Sequence, residues 1–442
     1  MSRRKKLPLE AVETRIESLS HEGRGISHVN GKTVFVDGAL AGENITFRYR
    51  RSCSKYAEGS MEELLADSSS DRVEARCRHA SVCGGCSLQH LSPDAQIEHK
   101  QNVLLEQLLH IGGVEADSLL PPLKGELWGY RRKARLGVKH VLKKEKVLVG
   151  FREKYSSYIA DIDSCEVLHP SVGGRLKELA ALIFSLTIYN KVAQIEVAVD
   201  EQDTALIFRN LETPDDADLD KLSDFAEQHK VRIYLQAGGP DTVTPLAGET
   251  DIPLSYQLDD GEITIYYAPS DFTQVNLDIN KRMVKQVLEL LTLQPEDNVL
   301  DLFCGLGNFT LPVARRVAQV IGIEGADSLV KKAEYNAQVN NINNARFFMS
   351  DLFTLESEPA YLDFNYQKLL LDPPRSGAQQ VVEKWRMENV EKIVYVSCNP
   401  ATLSRDAGIL VKERGFKLVS AGVMDMFPHT THVESLAIFE RR

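Results

Sequence analysis

The sequence predicts a multidomain α/β protein with a small OB-like β-barrel over residues 1–70, an α+β central domain over 71–268 and a Rossmann-like domain over 269–442. Three patterns support this division. Short alternating runs with glycine turns begin the chain, strands and helices mix in its middle, and regular strand–helix alternation starts near Pro269. With 442 residues, the chain is long enough for two or three domains with separate cores.

The barrel is predicted from residues 14–16, 32–36 and 44–49, which alternate apolar and polar side chains between glycine-containing turns. Basic and aromatic residues interleave at 48–51 and 55–56. This mixture is expected on a barrel face that binds oligonucleotides.

The central domain is predicted from a mixture of helical and strand periodicities. The segment 93–112 is predicted to be helical and to pack on the carboxyl-terminal domain, and the acidic residues 211–220 are predicted to form a surface loop. The other predicted helices are 176–186 and 219–228, and the predicted strands are 194–199, 205–208, 231–236 and 263–267.

The carboxyl-terminal domain is predicted as a doubly wound, mainly parallel sheet because apolar strands alternate with helical stretches. The predicted strands are 298–302, 320–324, 345–349, 368–371 and 393–396, and the helices between them include 311–317, 328–340 and 379–386.

Charge is unevenly distributed along the chain. The net charge is −11, yet residues 121–155 hold eleven Lys or Arg against three Glu, and residues 1–60 hold eleven against seven acids. A chain polarised in this way can hold a phosphate backbone on one side. A solvated basic strand pair explains the charge of 121–155 equally well.

The composition predicts a cytoplasmic protein without a membrane partner, and we expect a monomer. No apolar run is long enough to span a bilayer, and no apolar signal segment follows the basic residues 1–6. In that compartment, structural disulfides among the seven cysteines are not expected.

The first chemical motif is a buried strand that runs into the turn Gly305-Leu306-Gly307 and then into a helix. The turn lacks the third glycine of the dinucleotide fingerprint and has no basic residue placed for a pyrophosphate. Glu324 ends the next strand, where a carboxylate can accept hydrogen bonds from ribose hydroxyls. Asp351 follows the third strand and is placed for an adenine amino group. This combination favours S-adenosylmethionine over NAD.

Three further motifs follow strand ends or lie close to the carboxyl terminus. Asp372 precedes a rigid Pro-Pro turn, and Cys398 ends a buried strand at the edge where ligands collect in open α/β sheets. His429, His432 and Glu434 do not have the spacing of a helical His-Glu-x-x-His metal motif. A carboxylate that faces a thiol across one sheet edge suits proton removal instead.

Five segments together resemble the RNA uracil-5-methyltransferase family, in the order 271–276, 303–309, 372–375, 397–400 and 429–434. The amino-terminal part resembles the subgroup with a TRAM barrel and an iron–sulfur cluster, so that nearly the whole chain is covered. Within this subgroup the sequence is most similar to bacterial enzymes that methylate 23S ribosomal RNA.

The resemblance implies that Cys398 is the nucleophile and Glu434 the general base. It also implies a set of residues around the methyl donor, S-adenosyl-L-methionine, and the uracil: Gln274, Phe303, Asn308, Glu324, Asp351 and Asp372. The chemistry explains why a thiol is needed beside the methyl donor, because carbon 5 of uracil is too weak a nucleophile until a thiolate has added to carbon 6. Phe272, beside Gln274, is expected to stack on a base.

The remaining cysteine motif is Cys77, Cys83 and Cys86, with Cys165 far downstream. Four thiolates can hold a 4Fe–4S cluster or zinc, and three clustered ligands with one distant ligand favour the cluster. The resemblance maps all four cysteines onto its cluster ligands. A structural or a redox role for the cluster stays open, while Cys304 is expected in the core and Cys53 as a plain thiol.

We therefore expect methylation of carbon 5 of a specific uridine in 23S ribosomal RNA, with the target base turned out of its stack to reach the Cys398 pocket. The same chemistry on transfer RNA or on another ribosomal uridine is an alternative. Two others are methylation of an exocyclic nitrogen without a nucleophile, and an iron–sulfur scaffold that binds RNA without catalysis.

Overall fold

The computed structural model describes residues 7, 10–66, 68–246, 251–354 and 364–442. They form two compact units. Unit 1 extends to Val103 and includes Pro428–Thr431, and unit 2 comprises Leu104–Phe427 and His432–Arg442. In the described ranges, no helix is both long and apolar enough to cross a membrane.

Unit 1 contains a six-stranded sheet in the order β1-β5-β6-β4-β3-β2, in which only the β4–β6 pair is parallel. Because side chains alternate between the two faces of a strand, Val34, Val36, Ile45 and Phe47 all point to the same side and pack in one small core. The strands are β1 Val12–Arg15, β2 Ser18–Leu19, β3 Gly25–Val29, β4 Lys32–Asp37, β5 Asn44–Ser52 and β6 Tyr56–Ala66.

The short segment Pro428–Thr431 belongs to unit 1 because of its backbone hydrogen bonds. The amide of His429 donates to Oε1 of Gln96 at 2.8 Å, and the His429 carbonyl accepts from the amides of Ser87 and Leu88, both at 2.9 Å. His429 is buried with a positive φ of 66°. His429 therefore stabilises the backbone of the segment that follows Cys86.

Helix α1, Pro93–Gln107, ends in one π-helical turn at Leu108–Gly112. That turn packs on the helix Pro400–Lys412, where a Cβ on Gly112 would lie 2.5 Å from the Ser404 carbonyl oxygen. Nζ of Lys412 donates to the Gly112 carbonyl at 2.6 Å. Only glycine permits this close approach of the two backbones.

The first sheet of unit 2 has the order β13-β12-β11-β10-β8-β9. Helices α3 and α4 cover one of its faces. On the other face, Ile207 and Tyr234 pack into the core of the unit, while the end formed by β8 and β9 stays open. The elements are β7 Ser118–Leu119, β8 Lys133–Val141, β9 Lys146–Gly150, α2 Pro170–Gly173, α3 Leu176–Ser185, β10 Val192–Val199, β11 Thr204–Asn210, α4 Asp216–His229, β12 Arg232–Gln236, β13 Val243–Pro245, β14 Leu254–Leu258 and β15 Ile263–Tyr267.

One prediction for this region is wrong. Residues 211–220 do not all form a loop, because α4 begins at Asp216. The carboxylate of Asp215 accepts from the amide of Asp218 at 2.9 Å and caps the helix. The acidic residues favour a helix start because they complement the positive end of the helix dipole.

The second large sheet of unit 2 has the order β18-β17-β16-β19-β20-β22-β21-β7, with β18 to β20 parallel and β22 antiparallel to both neighbours. The five predicted strands lie within one residue of these bounds. The elements are α5 Leu277–Leu291, β16 Asn298–Leu302, α6 Thr310–Ala314, β17 Gln319–Glu324, α7 Asp327–Val339, β18 Ala345–Met349, β19 Lys368–Leu371, α8 Gln379–Lys384, β20 Lys392–Ser397, α9 Pro400–Lys412, β21 Phe416–Met424 and β22 Glu434–Arg441.

The strand order reverses direction at β16, whose neighbours are β17 on one side and β19 on the other. Loops after these strands separate at this switch point and leave a crevice outside the carboxyl ends. The fold therefore fixes where a ligand can bind.

Candidate active site

A cavity of about 540 Å³ opens at this carboxyl edge in unit 2. Its volume is in the range of small-molecule sites. Its lining includes all eight residues predicted for catalysis and for the methyl donor: Gln274, Phe303, Asn308, Glu324, Asp351, Asp372, Cys398 and Glu434.

Strand pairing brings the predicted nucleophile and base together. Ser397 at the end of β20 pairs with Ser435 near the start of antiparallel β22. The next positions in this register are Cys398 and Glu434, so a thiol and a carboxylate meet at one sheet edge. Glu434 is only 7% exposed, whereas Cys398 is half-buried.

Asn399 fixes the backbone directly after the thiol. Its Oδ1 accepts from the amide of Ala401 at 3.1 Å and caps α9, while its Nδ2 donates to the Arg375 carbonyl at 2.9 Å. One side chain thus joins the Cys398 turn to the loop that follows Asp372. Nη2 of Arg375 in turn lies 3.2 Å from Nδ1 of His432.

The environment of Cys398 favours the thiol over the thiolate. Burial raises the pKa of Cys398 to about 11, the negative charges of Glu434 and Asp372 add to this rise, and the positive charge of Arg375 opposes it. A thiolate is the form that attacks carbon. The site therefore needs a positive charge or a proton acceptor when the reaction starts.

We expect Asp372→Asn to lower the pKa of the Cys398 thiol and to accelerate its alkylation by iodoacetamide severalfold at pH 8, because one opposing negative charge is lost. Arg375→Gln should slow the same reaction. The measurement is the pH dependence of Cys398 labelling, followed by mass spectrometry of its peptide. Equal rates in both variants and the unmodified protein would show that these charges do not act on the thiol.

The glycine turn has a strained start. Phe303 has a φ of 67°, which is unfavourable for a bulky residue, and its amide donates to the Ile323 carbonyl at 2.9 Å. Gly305 and Gly307 also have positive φ values, of 55° and 89°. Strain of this kind is typical of ligand-binding turns.

Glu324 connects this turn to the next strand. Its Oε2 accepts from the Gly305 amide at 3.1 Å, and its Oε1 accepts from the Gly325 amide at 2.7 Å. Oε1 also accepts from the Ala326 amide at 3.3 Å, so the acceptor position left on Oε2 is the one available to a ribose hydroxyl.

Two residues that orient Asn308 were not predicted from the sequence. Oδ1 of Asn308 accepts from the hydroxyl of Tyr256 and from Nδ2 of Asn280, both at 2.9 Å. Nδ2 of Asn308 donates to Oδ1 of Asn280 at 3.0 Å and keeps one hydrogen for a ligand. Tyr256 and Asn280 carry no motif signal because they lie on separate elements, β14 and α5.

An aromatic pair rims the same cavity. The rings of Phe303 and Phe353 have centroids 5.6 Å apart, and Phe353 carries no motif that predicts it from the sequence. Asp351 holds the turn that carries Phe353, since its Oδ1 accepts from the Phe353 amide at 2.9 Å and its Oδ2 from the hydroxyl of Thr354 at 2.8 Å. The backbone hydrogen bond to Phe353 is the main cause that lowers the Asp351 pKa.

The cavity and its floor are rich in carboxyl groups. Burial raises the pKa of Asp372 to about 7 and that of Asp301 to about 8. Oδ2 of Asp301 accepts from the hydroxyl of Thr310 at 2.5 Å, while its buried Oδ1 has no partner among the described residues. Because a raised pKa favours the neutral acid, the negative charge of the cavity comes mainly from Glu324, Asp351 and Glu434, and it favours a cationic ligand over a phosphate-bearing one.

The loop before α5 forms the wall of the cavity that contains Gln274. Nζ of Lys332 donates to Oδ2 of Asp271 at 2.6 Å, and the amide of Arg132 donates to the Val275 carbonyl at 2.8 Å. Phe272 is 73% exposed at the mouth of the cavity, as expected of a ring placed for stacking.

The other cysteines are distributed over both units. Cys304 is buried behind the glycine turn, and burial keeps its pKa well above the ordinary value, so it stays a thiol. Cys77, Cys83 and Cys86 lie in unit 1 and Cys165 in unit 2. Within the described ranges, no group of three or more His, Cys, Asp or Glu side chains is arranged to hold a metal ion.

Known proteins match this chain along nearly its whole length. The TRAM domain profile matches residues 8–61. A protein of Nitrosococcus oceani named 23S rRNA (uracil(1939)-C(5))-methyltransferase RlmD is 54% identical over 441 residues, with 99% of this chain and 98% of the relative covered. A Methylococcus capsulatus protein of the same name is 51% identical over 439 residues, with 99% of both chains covered.

A solved structure is similar over almost the same length. The tRNA (uracil-54, C5)-methyltransferase of Pyrococcus abyssi in complex with S-adenosyl-L-homocysteine gives a TM-score of 0.73 at 25% identity, over 97% of this chain and 100% of that protein. The profile of the tRNA (uracil-5-)-methyltransferase family matches residues 130–442. With relatives at more than half identity along its whole length, the chain belongs to the tRNA (uracil-5-)-methyltransferase family.

Proposed function

We propose that this protein transfers the methyl group of S-adenosyl-L-methionine to carbon 5 of a uridine in 23S ribosomal RNA. The names of its relatives specify uridine 1939, and we propose the equivalent position as the target. The observation that carries the proposal is the pairing of β20 with β22, which brings Cys398 and Glu434 to the edge of one cavity. The ribosomal RNA substrate makes the cytoplasm the proposed place of action.

In the proposed reaction, the thiolate of Cys398 adds to carbon 6 of the uracil and leaves an enolate. Carbon 5 then attacks the methyl carbon of the sulfonium, and the carbon–sulfur bond breaks to leave S-adenosyl-L-homocysteine. Glu434 removes the proton from carbon 5, and the electron pair of that bond expels the thiolate. The covalent route divides one difficult step into easier ones.

The carboxyl groups of the cavity support S-adenosyl-L-methionine as the methyl donor. Its sulfonium is cationic, so negative charge at Asp372 and Glu434 stabilises it, and the sulfonium in turn favours the thiolate of Cys398. Glu324 is suited to the ribose, and the Phe303–Phe353 pair to the adenine ring.

The direct test is the detection of 5-methyluridine in 23S ribosomal RNA. We expect RNA from cells that lack this protein to lose 5-methyluridine at the position equivalent to uridine 1939, and purified protein with S-adenosyl-L-methionine to restore it. The measurement is mass spectrometry of nuclease fragments. If the modification is lost from transfer RNA or from another ribosomal position instead, the chemistry stands and the proposed target is wrong.

We further propose that Cys77, Cys83 and Cys86, with Cys165 as the fourth ligand, hold a 4Fe–4S cluster. Two observations fit such a group. Cys83 is buried, and the amide of Gly85 points at its Sγ at 3.4 Å, as expected where backbone amides stabilise a cluster thiolate. When bound, the cluster would supply a rigid cross-link between thiolates, and no step of methyl transfer requires it.

We expect anaerobically purified protein to contain about four iron and four sulfide per chain. Cys83→Ala should lose the iron and its visible absorbance, because one ligand is removed. Cys53→Ala is the matched control and should retain both. Stoichiometric zinc without sulfide in the unmodified protein would contradict the cluster.

A further inference from the structure

A second concave surface lies in unit 2 on the open face of the first sheet, at the end formed by β8 and β9. It encloses about 860 Å³. We call it the β8–β9 groove; its charged lining residues are Arg135, Lys139, Lys144, Arg152 and one acid, Glu153, and Tyr158 also lines it.

Strand alternation explains why this face is polar. Arg135, Gly137 and Lys139 alternate along β8 and point to the groove, whereas His140 points to the opposite face and stacks on Phe184 of α3, with ring centroids 6.0 Å apart. One side of the sheet is therefore covered by helix, and the other is left with basic side chains at its end.

The charge of the groove is only partly neutralised. Arg135 is paired with Glu196 at 2.6 Å but remains 74% exposed, and Lys144 is paired with Asp161 at 2.8 Å. Lys139 and Arg152 are exposed and form no ion pair with any described residue. Exposed cations without counter-ions attract a polyanion.

Tyr158 stands at the rim of the groove with 73% of its surface exposed. The loop that carries it is fixed, since the amide of Glu153 donates to the Tyr158 carbonyl at 2.9 Å and the Tyr158 amide donates to Oγ of Ser156 at 3.0 Å. Ile159 packs directly on Gly137, where a Cβ would lie 2.3 Å from its Cδ1. The ring is thus held in solvent by an ordered loop.

We propose that the β8–β9 groove binds a single-stranded segment of the RNA that flanks the target uridine, with Tyr158 stacked on a base and Lys139 and Arg152 on phosphates. The proposal rests on the proposed function. A basic groove with an exposed aromatic ring is the usual platform for single-stranded nucleic acid. Duplex RNA is recognised through its shape and offers no free base face to a tyrosine.

The test measures binding of a fluorescein-labelled single-stranded RNA of mixed sequence to the full-length protein, by anisotropy at several salt concentrations. We expect Tyr158→Ala to weaken binding about tenfold through the loss of stacking, and Tyr158→Phe to bind as the unmodified protein does. Arg152→Glu should weaken binding and reduce the salt slope by about 0.7. A labelled RNA duplex of the same length should bind Tyr158→Ala and the unmodified protein equally.

The matched control is Lys177→Glu, which makes the same charge change on α3, on the helix-covered side of the same sheet. Equal loss of affinity in Lys177→Glu and Arg152→Glu, or unchanged affinity in Tyr158→Ala, would overturn the groove as a binding site. Methylation by the unmodified protein separates the two proposals. Absent 5-methyluridine refutes the proposed function, whereas methylation with an unchanged KM for RNA in Tyr158→Ala refutes only the groove.

Discussion

Cys398→Ala is expected to abolish methyl transfer to RNA, with a fall in rate of about 10⁴-fold or more, as found when the nucleophile of a covalent enzyme is removed. The reason is electronic. Without addition at carbon 6, carbon 5 of uracil does not carry enough electron density to attack a sulfonium methyl group. The measurement is single-turnover transfer of a radiolabelled methyl group at saturating RNA.

Binding of S-adenosyl-L-homocysteine, followed by calorimetry, should remain in the Cys398→Ala variant because the other walls of the cavity are unchanged. Cys53 lies in unit 1, so Cys53→Ala is the matched cysteine control and should keep full activity. Methyl transfer by Cys398→Ala at the normal rate would refute the covalent mechanism. The Asp372 loop would then be explained by methylation of an exocyclic nitrogen, which needs no nucleophile.

Glu434→Gln is expected to arrest the reaction after methyl transfer. The amide cannot accept the carbon 5 proton, so the methylated uracil should remain bonded to Cys398. Turnover should fall by about 10²- to 10⁴-fold, the usual contribution of a general base. The measurement is a covalent protein–RNA complex that survives a denaturing gel and carries the labelled methyl group.

A matched control for Glu434→Gln exists on the same strand. Glu440→Gln makes the same change at the far end of β22, where Glu440 pairs with Lys392 on the surface, and it should turn over normally. The double variant Cys398→Ala with Glu434→Gln should give no covalent complex. Loss of turnover in Glu434→Gln without any labelled complex would mean that Glu434 acts before methyl transfer.

The periodicity of the chain was sufficient to predict most of the second large sheet. Strands β16, β17, β19 and β20 are mostly buried, so they are largely apolar runs with clear ends, whereas the edge strand β18 is only partly buried. The strands β21 and β22 were not predicted, although β22 carries Glu434 at its start. Strand β22 pairs with β20, which ends more than thirty residues earlier in the chain, and β21 joins the sheet through β22, so a local pattern contains no information on the partner.

The helix bounds show the same limit on a smaller scale. Helix α6 ends at Ala314, short of the predicted 317, and α4 begins at Asp216 inside a segment predicted as loop. Helix ends depend on caps and on packing as much as on periodicity. The Asp215 cap was readable from the sequence, whereas the early end of α6 was not.

The eight residues predicted around the nucleophile and the methyl donor all line one cavity because each follows or begins a strand at the same sheet edge, or lies in a loop beside it. Motif position is therefore a good guide in this fold. The residues that orient them were missed. Tyr256 and Asn280 hold Asn308 from two different elements, and Phe353 meets Phe303 across the cavity.

The sequence by itself determined the chemistry of this protein, because a thiol, a carboxylate and a glycine turn at strand ends are local features with local signals. Only the tertiary structure decided how they cooperate. The register of β20 with β22 brings Cys398 to Glu434, and burial together with neighbouring carboxylates raises the pKa of the thiol. The physical reason is that register, burial and electrostatic environment are set by residues distant in the chain, which no local pattern encodes.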